Sequence, residues 1–252
     1  MKLDLQIHGA ESSALNEWPG DLDAWSGTSS ALSSTEEIVW IAGRGEMFIL
    51  VDDPDRENEG DLVILADHAT PASINFMVKH GRGLVCLALN QHCADRIGLE
   101  PAPRRNVDAF HTPFAHSIDA RVGTTTGISA ADRARTIRAA VDPDSDESSF
   151  VSPGHIFPLI ASPGGVLVRP GHTEASVDIA GLANASPAAV ICEILNDDGT
   201  MARLPDLIRF SDLHGLAIGT ISDLVAYRKN LISHCANHTS GAFNYESQLT
   251  NF

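Results

Sequence analysis

The chain has 252 residues, of which 43% are hydrophobic, and its 17 basic and 33 acidic side chains give a formal net charge of −16. This length and composition suit one domain with a sizeable core and exclude wholesale disorder. The negative field repels nucleic acid and anionic membranes, so neither is expected as a partner, although high acidity also serves simply to keep a protein soluble.

The two ends of the chain are predicted to be tails. Residues 1–33 are rich in Ser, Gly and acidic residues, and residues 26–34 have the composition of a flexible linker. Trp18 and Trp25 stand alone in polar surroundings, and the alternative is that they dock this segment on the domain. A folded domain is expected over residues 34–230, followed by a polar C-terminal tail over residues 231–252.

The cysteines and the apolar runs indicate the compartment. Cys86, Cys93, Cys192 and Cys235 form no C-x-x-C pair and no zinc-binding spacing, so we expect reduced thiols. The first residues lack the apolar run of a signal peptide, and no segment approaches the roughly 18–20 apolar residues of a membrane span. A soluble cytoplasmic protein is therefore expected.

The pattern of apolar residues predicts helices and strands in alternation. Ser33 or Ser34 opens a first helix in a capping box, and Gly43 has the place of the left-handed residue that ends it. Further helices are predicted from residue 71 and over 129–140, 174–183, 204–214 and 223–229. Strands are predicted over 47–51, 62–66, 84–89, 157–160, 166–168, 188–194 and 216–221, with loops over 90–113. This order predicts a single domain of the α/β or α+β class.

The charged stretch Asp52–Asp61 is the most unusual local feature. It holds four Asp, two Glu and one Arg between two apolar runs that are typical of buried strands. Such a run of charge is most often a solvated loop. The short span and the buried anchors at both ends favour a sharper interpretation, in which the clustered carboxylates hold a hard cation such as Mg²⁺.

A second candidate group surrounds the helix start near residue 172. Arg169 supplies a guanidinium, Gly171 a tight turn and His172 an imidazole. Helix N-termini attract phosphate, and arginine binds it through two parallel hydrogen bonds. His172 is also a candidate metal ligand, although a lone histidine at a helix start is more often a cap or a surface residue.

Two further features place ionisable groups in apolar or glycine-rich surroundings. Glu193 lies in the apolar strand 188–194, where it needs a partner. It is either one half of a structural ion pair or an acid–base group with a raised pKa, and the residues alone do not separate the two.

Residues 123–127 combine Gly and Thr ahead of Ser129 and Arg133, which makes a weak phosphate cradle without the P-loop or dinucleotide-binding pattern.

Nine segments of the chain carry a combined pattern. They are Val51–Asp61, Ser117–Asp119, Thr125–Arg133, Gly154–Leu159, Pro163–Leu167, Gly171–Asp178, Cys192–Glu193, Asn196–Arg203 and Asp223–Arg228. Over about residues 36–228 these segments resemble the 3,4-dihydroxy-2-butanone 4-phosphate synthase family. Agreement over so many segments, in the family's order, makes chance similarity negligible.

The resemblance implies a three-layer α/β sandwich with a mixed sheet that works as a homodimer. It implies a lyase of riboflavin biosynthesis, which converts D-ribulose 5-phosphate to L-3,4-dihydroxy-2-butanone 4-phosphate and formate. The implied cofactor is Mg²⁺ or Mn²⁺, with two ions expected in each site. By the same resemblance Glu57 and His172 hold the metal, and His155 and Glu193 are the catalytic residues.

Other residues receive roles from the same resemblance. The implied substrate-binding set is Arg56, Glu57, Asp61, Arg169, Pro170, Gly171, His172, Thr173 and Glu193. Residues expected near the phosphate end or its loop are Cys86, Ser129, Asp132, Arg133 and Thr136. The reaction needs several proton transfers, and the groups available for them are His155, Glu193 and Asp61, with their individual steps left open.

The sequence departs from the family pattern at Ala115 and His116, where relatives usually have Thr and an aliphatic residue, and this bears on the detail of the substrate pocket. Many relatives also carry a zinc-dependent GTP cyclohydrolase domain, whose cysteine spacing is missing here, so one activity is expected. The alternatives are a paralogue that uses the same metal site on another phosphosugar, and a catalytically silent phosphosugar-binding protein. A catalytically silent protein would be expected to lack Glu57, His172 or Glu193.

Overall fold

The computed structural model describes residues 32–102 and 112–238, with side chains up to residue 234. Seven strands form one mixed sheet in the order β4-β5-β3-β6-β2-β1-β7. The strands are β1 (Phe48–Val51), β2 (Gly60–Leu65), β3 (Cys86–Leu89), β4 (Ile118–Ala120), β5 (Phe150–Ile160), β6 (Ala188–Glu193) and β7 (Ile218–Thr220). β1 runs parallel to β7 and β3 runs parallel to β5, whereas the other neighbours are antiparallel.

Seven α-helices accompany the sheet in the described residues. They are α1 (Thr35–Gly43), α2 (Pro71–Phe76), α3 (Gln91–Arg96), α4 (Ala130–Val141), α5 (His172–Leu182), α6 (Leu204–His214) and α7 (Ile221–His238). A π turn, Met77–Gly81, extends α2, and 3₁₀ turns occupy Ala66–His68, Glu147–Ser149 and Gly165–Leu167. No helix in the described ranges combines the length and apolarity needed to cross a membrane.

Both faces of the sheet are covered by helices. Ile49 and Leu62 pack in one apolar cluster with residues of α2, α4 and α6, whereas Leu50 and Val63 pack in a second cluster with residues of α1, α5 and α7. Burial of each such side chain stabilises the fold by about 1.5–3 kcal/mol. The predicted three-layer sandwich with a mixed sheet is confirmed, and its two covered faces explain why the central strands are apolar throughout.

The helix starts follow the capping residues seen in the sequence. The Ser34 hydroxyl accepts a hydrogen bond from the N–H of Glu37 at 3.2 Å, and the Ser129 hydroxyl accepts one from the N–H of Asp132 at 3.0 Å. Each satisfies an N–H group that the first helical turn leaves without a backbone partner. The predicted starts of α1 and α4 are therefore confirmed.

Several predicted elements were wrong in detail. Gly43 is the last residue of α1, and Gly45 adopts the left-handed conformation with φ of +78°. The predicted strand 166–168 is a 3₁₀ turn, because the Asp178 carboxylate accepts the Val166 N–H at 2.9 Å and keeps it from pairing in a sheet. The expected loop 90–113 contains the short helix α3, which is capped by Asn90.

Two features lie near the predicted domain boundaries, which stay a prediction. The N–H of Ser33 donates to the Ile218 carbonyl at 2.7 Å. At the other end, α7 continues to His238, so the expected C-terminal tail begins as helix. Trp18 and Trp25 lie outside the described residues, as does the rest of 1–31, together with 103–111 and 239–252.

Candidate active site and metal centre

Two carboxylates face each other at one end of the sheet. Asp61 and Glu193 are direct partners across the antiparallel β2–β6 pair. Direct partners project to the same face, and here that face also carries Val63 and Ile191 and packs against α5. The sheet therefore presents both side chains towards the side on which α5 lies.

The charged stretch before β2 is an ordered turn built around a buried carboxylate. Asp52 accepts hydrogen bonds from the N–H of Glu59 at 2.8 Å through Oδ1, and from the N–H of Glu57 at 3.0 Å through Oδ2. Arg56 Nη1 bridges Asp52 Oδ2 at 2.9 Å and Glu57 Oε2 at 2.8 Å. The interpretation of this stretch as a merely solvated loop is not supported, because its backbone is held in one conformation.

The first turn of α5 forms the opposite wall. Gly171 precedes the helix and provides no side-chain cap, so the first N–H groups are left to other partners. A Cβ at Gly171 would lie 2.9 Å from Arg56 Nη2 and would also collide with Arg169 Nη1, so both guanidinium groups lie against this turn. Arg169 Nη1 donates to the buried Glu174 carboxylate at 2.6 Å. Two cations and a helix N-terminus thus meet, which is an arrangement that attracts anions.

A group of side chains that could hold a metal ion lies between these walls. Oxygen or nitrogen atoms of Asp52, Glu57 and His172 lie within 4.8 Å of one another, and His172 Nδ1 is 3.6 Å from Glu57 Oε2. Among the described residues, His172 Nε2 and Asp61 Oδ1 are buried without a hydrogen-bond partner. Both Asp52 oxygens already accept backbone N–H groups, so Glu57 and His172 are the stronger candidates for cation ligands in this group.

The ionisation of this group is strongly coupled. Burial raises the pKa of Asp61 to about 7, and the neighbouring Glu193 and Glu57 reinforce that increase against the opposing effect of His172. Burial alone lowers the pKa of His172, but the carboxylates of Asp61 and Glu57 outweigh it and raise the value to about 9. The negative charge of these carboxylates therefore favours the protonated imidazole of His172, and the same charge attracts a cation.

A cleft of about 160 Å³ collects most of the residues expected in the site. Pro170 and Gly171 form the turn beside it. The cleft is lined by Arg56, Glu57, Glu59, Asp61, Cys86, Thr112, Phe114, Leu159, Arg169, His172, Thr173, Ile191 and Glu193. Burial raises the pKa of the Cys86 thiol, so this residue contributes a neutral wall. His116 lines a different cleft of about 970 Å³, together with Arg96 and Arg121, rather than this one.

Glu193 is held by the backbone of a neighbouring segment. Its Oε2 accepts the Leu84 N–H at 2.8 Å, and a Cβ at Gly83 would lie 2.5 Å from the same oxygen. In the part of the chain that the structure describes, no cation forms a salt bridge with Glu193. The structural ion-pair interpretation therefore has no support in the described residues, and the acid–base role stays a prediction.

His155 lies outside the cleft wall and is fixed by a carboxylate that sequence reasoning did not select. Asp119 Oδ2 lies 2.7 Å from His155 Nδ1, and Asp119 Oδ1 accepts the His155 N–H at 3.0 Å. A proton on Nδ1 directed at Asp119 leaves Nε2 as the free ring nitrogen. The Ser117–Asp119 motif was visible in the sequence, but nothing local indicated that Asp119 meets a histidine.

The remaining phosphate-end candidates hold the loop beside His155. Asp132 Oδ2 accepts the Thr125 hydroxyl at 2.7 Å and the Gly127 N–H at 3.1 Å, and Ser129 caps the same helix. The Thr136 hydroxyl accepts the N–H of Ala120 at 2.9 Å. Burial lowers the pKa of Arg133, whose electrostatic neighbour Cys192 packs on the other face of β6. A phosphate contact by any of these four stays a prediction.

Comparison with known proteins identifies the family. The sequence profile of the family described as 3,4-dihydroxy-2-butanone 4-phosphate synthase matches residues 36–227. The chain belongs to this family. Its similarity to the riboflavin biosynthesis protein RibBA of Aquifex aeolicus is 57% identity over 198 residues, which is 78% of this chain and 49% of the relative. The synthase of Pseudomonas aeruginosa is 52% identical over 198 residues, covering 79% and 54% of the two chains. The chain thus spans about half the length of these curated relatives.

Solved structures of family members have the same fold. A 3,4-dihydroxy-2-butanone 4-phosphate synthase in complex with two magnesium ions superposes with a TM-score of 0.76 at 38% identity, covering 79% of this chain and 98% of that one. The two-domain RibBX synthase of A. baumannii gives a TM-score of 0.75 at 54% identity, covering 78% of this chain and 58% of that one.

Proposed function

We propose that this chain converts D-ribulose 5-phosphate to L-3,4-dihydroxy-2-butanone 4-phosphate and formate, as a lyase of riboflavin biosynthesis. The observation that carries the proposal is the meeting of Glu57, His172, Asp61 and Glu193 at one cleft of a synthase-family chain. Glu57, His172 and Glu193, which a catalytically silent phosphosugar-binding protein would be expected to lack, are all present.

The proposed metal ligands are Glu57 and His172, with Mg²⁺ or Mn²⁺ as the ion and two ions in each site. Their carboxylate and imidazole atoms lie 3.6 Å apart, and the buried His172 Nε2 and Asp61 Oδ1 lack protein partners among the described residues. A relative's structure is described as a complex with two magnesium ions. When bound, such an ion supplies positive charge that stabilises developing oxyanions.

The proposed proton transfers fall to three residues. Removal of the C3 proton, loss of the C1 hydroxyl, the skeletal shift and the departure of C4 as formate each need a proton moved. Glu193 is held by the Leu84 N–H, His155 is oriented by Asp119, and burial raises the pKa of Asp61 to about 7. The two products together contain the atoms of the substrate, so the reaction requires no oxidant.

The proposed substrate contacts concentrate positive charge at the α5 side of the cleft. Arg56 and Arg169 lie against the Gly171 turn, and Thr173 follows it in the first helical turn. The overall charge of −16 repels an anionic substrate. The arginines outweigh it locally, because their distance to the bound substrate is short and their attraction to it is therefore strong.

We also propose a homodimer in the cytoplasm. Leu84, Ile128 and Val168 are large apolar side chains that are 41%, 54% and 67% exposed, and exposed apolar surface of this kind is typical of an interface between copies. Cys86, Cys93 and Cys192 are free and buried, as is usual in a reducing compartment. Light scattering on the purified protein tests the dimer, and a monomeric mass contradicts it.

The activity is tested by incubating purified protein with ribulose 5-phosphate and Mg²⁺ and measuring formate. We expect formate to appear, to stop with EDTA and to return with Mg²⁺ or Mn²⁺. A protein that binds the phosphosugar without releasing formate is the silent binding protein. A protein that releases formate only from another phosphosugar is the paralogue.

A further inference from the structure

Arg203 connects α6 with the turn that carries Glu57. Its Nη1 donates to the backbone carbonyl of Glu57 at 2.8 Å and also to the carbonyl of Asn58. Asn58 has a φ of +55°, a left-handed conformation that is unfavourable for most residues other than glycine. One guanidinium thus stabilises an otherwise unfavourable turn at the residue that follows Glu57.

Arg203 is itself held in place by the first turn of α6. Its backbone N–H donates to Asp206 Oδ2 at 3.0 Å, and Asn196 Nδ2 lies 3.5 Å from the same oxygen. The buried Leu207 packs beneath the β2 end of the turn, where a Cβ on Gly60 would collide with its side chain. The guanidinium is therefore presented to the turn from a rigid base.

The Glu57 turn is clamped from two sides. Asp52 accepts the N–H groups of Glu57 and Glu59, whereas Arg203 donates to the carbonyls of Glu57 and Asn58. Peptide groups that make no helix or sheet hydrogen bonds are thereby satisfied by side chains. A ligand held in this way loses little conformational freedom when it binds.

We propose that Arg203 is a positioning residue that sets the metal affinity of the site by holding the Glu57 carboxylate towards His172. This inference rests on the proposed metal role of Glu57 and His172. Arg203 touches the backbone of the ligand residue and makes none of the metal bonds itself. Loss of such a supporting partner typically weakens metal affinity by about 10–100-fold.

The test is the dissociation constant of Mn²⁺, measured by electron paramagnetic resonance on the purified full chain. Arg203→Ala is expected to raise it by about 10–100-fold. Arg203→Lys is expected to raise it by less, because an ammonium still donates hydrogen bonds but lacks the guanidinium geometry. Arg44→Ala is the control, since Arg44 is also an arginine, is 56% exposed and pairs with Glu46 on the surface. At saturating Mn²⁺ the kcat of Arg203→Ala is expected to approach that of the wild type.

The outcomes separate this inference from the proposed function. An unchanged Mn²⁺ dissociation constant in a folded Arg203→Ala protein overturns the role of Arg203. If that variant fails to fold, Arg203→Lys decides, and affinity equal to the wild type overturns the role. If the Glu57→Gln variant binds Mn²⁺ as tightly as the wild type does, the metal assignment itself is wrong, and the inference falls with it.

Discussion

His172 Nδ1 lies 3.6 Å from Glu57 Oε2, although the two residues belong to segments that are distant in the sequence. Each is held by its own local structure. Glu57 belongs to the turn built on Asp52, and His172 begins α5 immediately after Gly171. The approach of a carboxylate to a buried imidazole is therefore prepared by the fold before any ligand arrives.

Glu57→Gln is expected to abolish both Mn²⁺ binding and turnover. The amide keeps the shape of the side chain but loses the negative charge that a hard cation requires. Calorimetric titration with Mn²⁺ and formate release from the same preparation provide the two readouts. Glu46→Gln is the control, because Glu46 pairs with Arg44 on the surface. Wild-type metal affinity in Glu57→Gln contradicts the ligand assignment.

Glu193→Gln is expected to bind ribulose 5-phosphate and to lose at least roughly a hundredfold in kcat, the lower end of general acid–base contributions. The amide can still accept the Leu84 N–H hydrogen bond, so the fold is preserved, but it takes no proton. Calorimetric binding and formate release separate the roles. Loss of binding makes Glu193 a ligand-holding residue, and undiminished turnover shifts the proton transfers to His155 or Asp61.

Asp119→Asn is expected to lower kcat by at least roughly a hundredfold, with little change in KM, because an amide no longer favours the His155 tautomer with its proton on Nδ1. Asp144→Asn, on the exposed surface, provides the control. An Asp119→Asn enzyme with the kcat of the wild type contradicts the orienting role of Asp119.

Arg169→Ala is expected to weaken substrate binding by about 1.5–3 kcal/mol, the range for hydrogen bonds to charged groups. Arg209→Ala, in α6, is expected to have no such effect. Arg169 also pairs with the buried Glu174, so its removal also leaves that carboxylate without this partner. The double variant Arg169→Ala/Glu174→Gln also removes the unpaired carboxylate and so isolates the loss of the phosphate contact. Equal substrate dissociation constants for Arg169→Ala and Arg209→Ala contradict the phosphate role.

Asp132 predicts a pH-dependent contribution to stability. The Thr125 hydroxyl and the N–H groups of Thr125 and Gly127 donate to this carboxylate and hold its pKa below the usual value. A carboxylate whose pKa is lower in the folded state stabilises the protein at pH values above its unfolded-state pKa of about 3.9. This stabilisation is lost as the pH falls through the folded-state pKa. Asp132→Asn is thus expected to lower the Tm at pH 7, and the deficit is expected to shrink below about pH 4. A deficit that is independent of pH contradicts this account.

The parts of the fold that sequence patterns predicted are those with local causes. Residues 62–66 and 188–194 are apolar throughout because helices cover both faces of β2 and β6. Residues 166–168 are equally apolar, yet they turn, since Gly164 and Gly165 are left-handed and Asp178 takes the Val166 N–H. The three-residue strand β4 was missed because only its pairing with β5 makes it a strand.

The site residues also differ in whether local sequence could predict them. Glu57 and His172 were selected through the family resemblance, because no local pattern brings a turn before β2 to the start of α5. Asp119 and Arg203 lay inside quoted motifs, but they act by holding His155 and the Glu57 turn across long sequence separations. Such supporting contacts become visible only when the chain is folded.

The most direct test of the proposed activity follows the carbon that leaves the sugar. Ribulose 5-phosphate labelled with ¹³C at C4 is incubated with the protein and Mg²⁺, and the products are observed by ¹³C NMR. We expect the label to appear in formate and the four-carbon phosphate to remain unlabelled. Label retained in the four-carbon product, or a spectrum in which the phosphosugar stays intact, contradicts it.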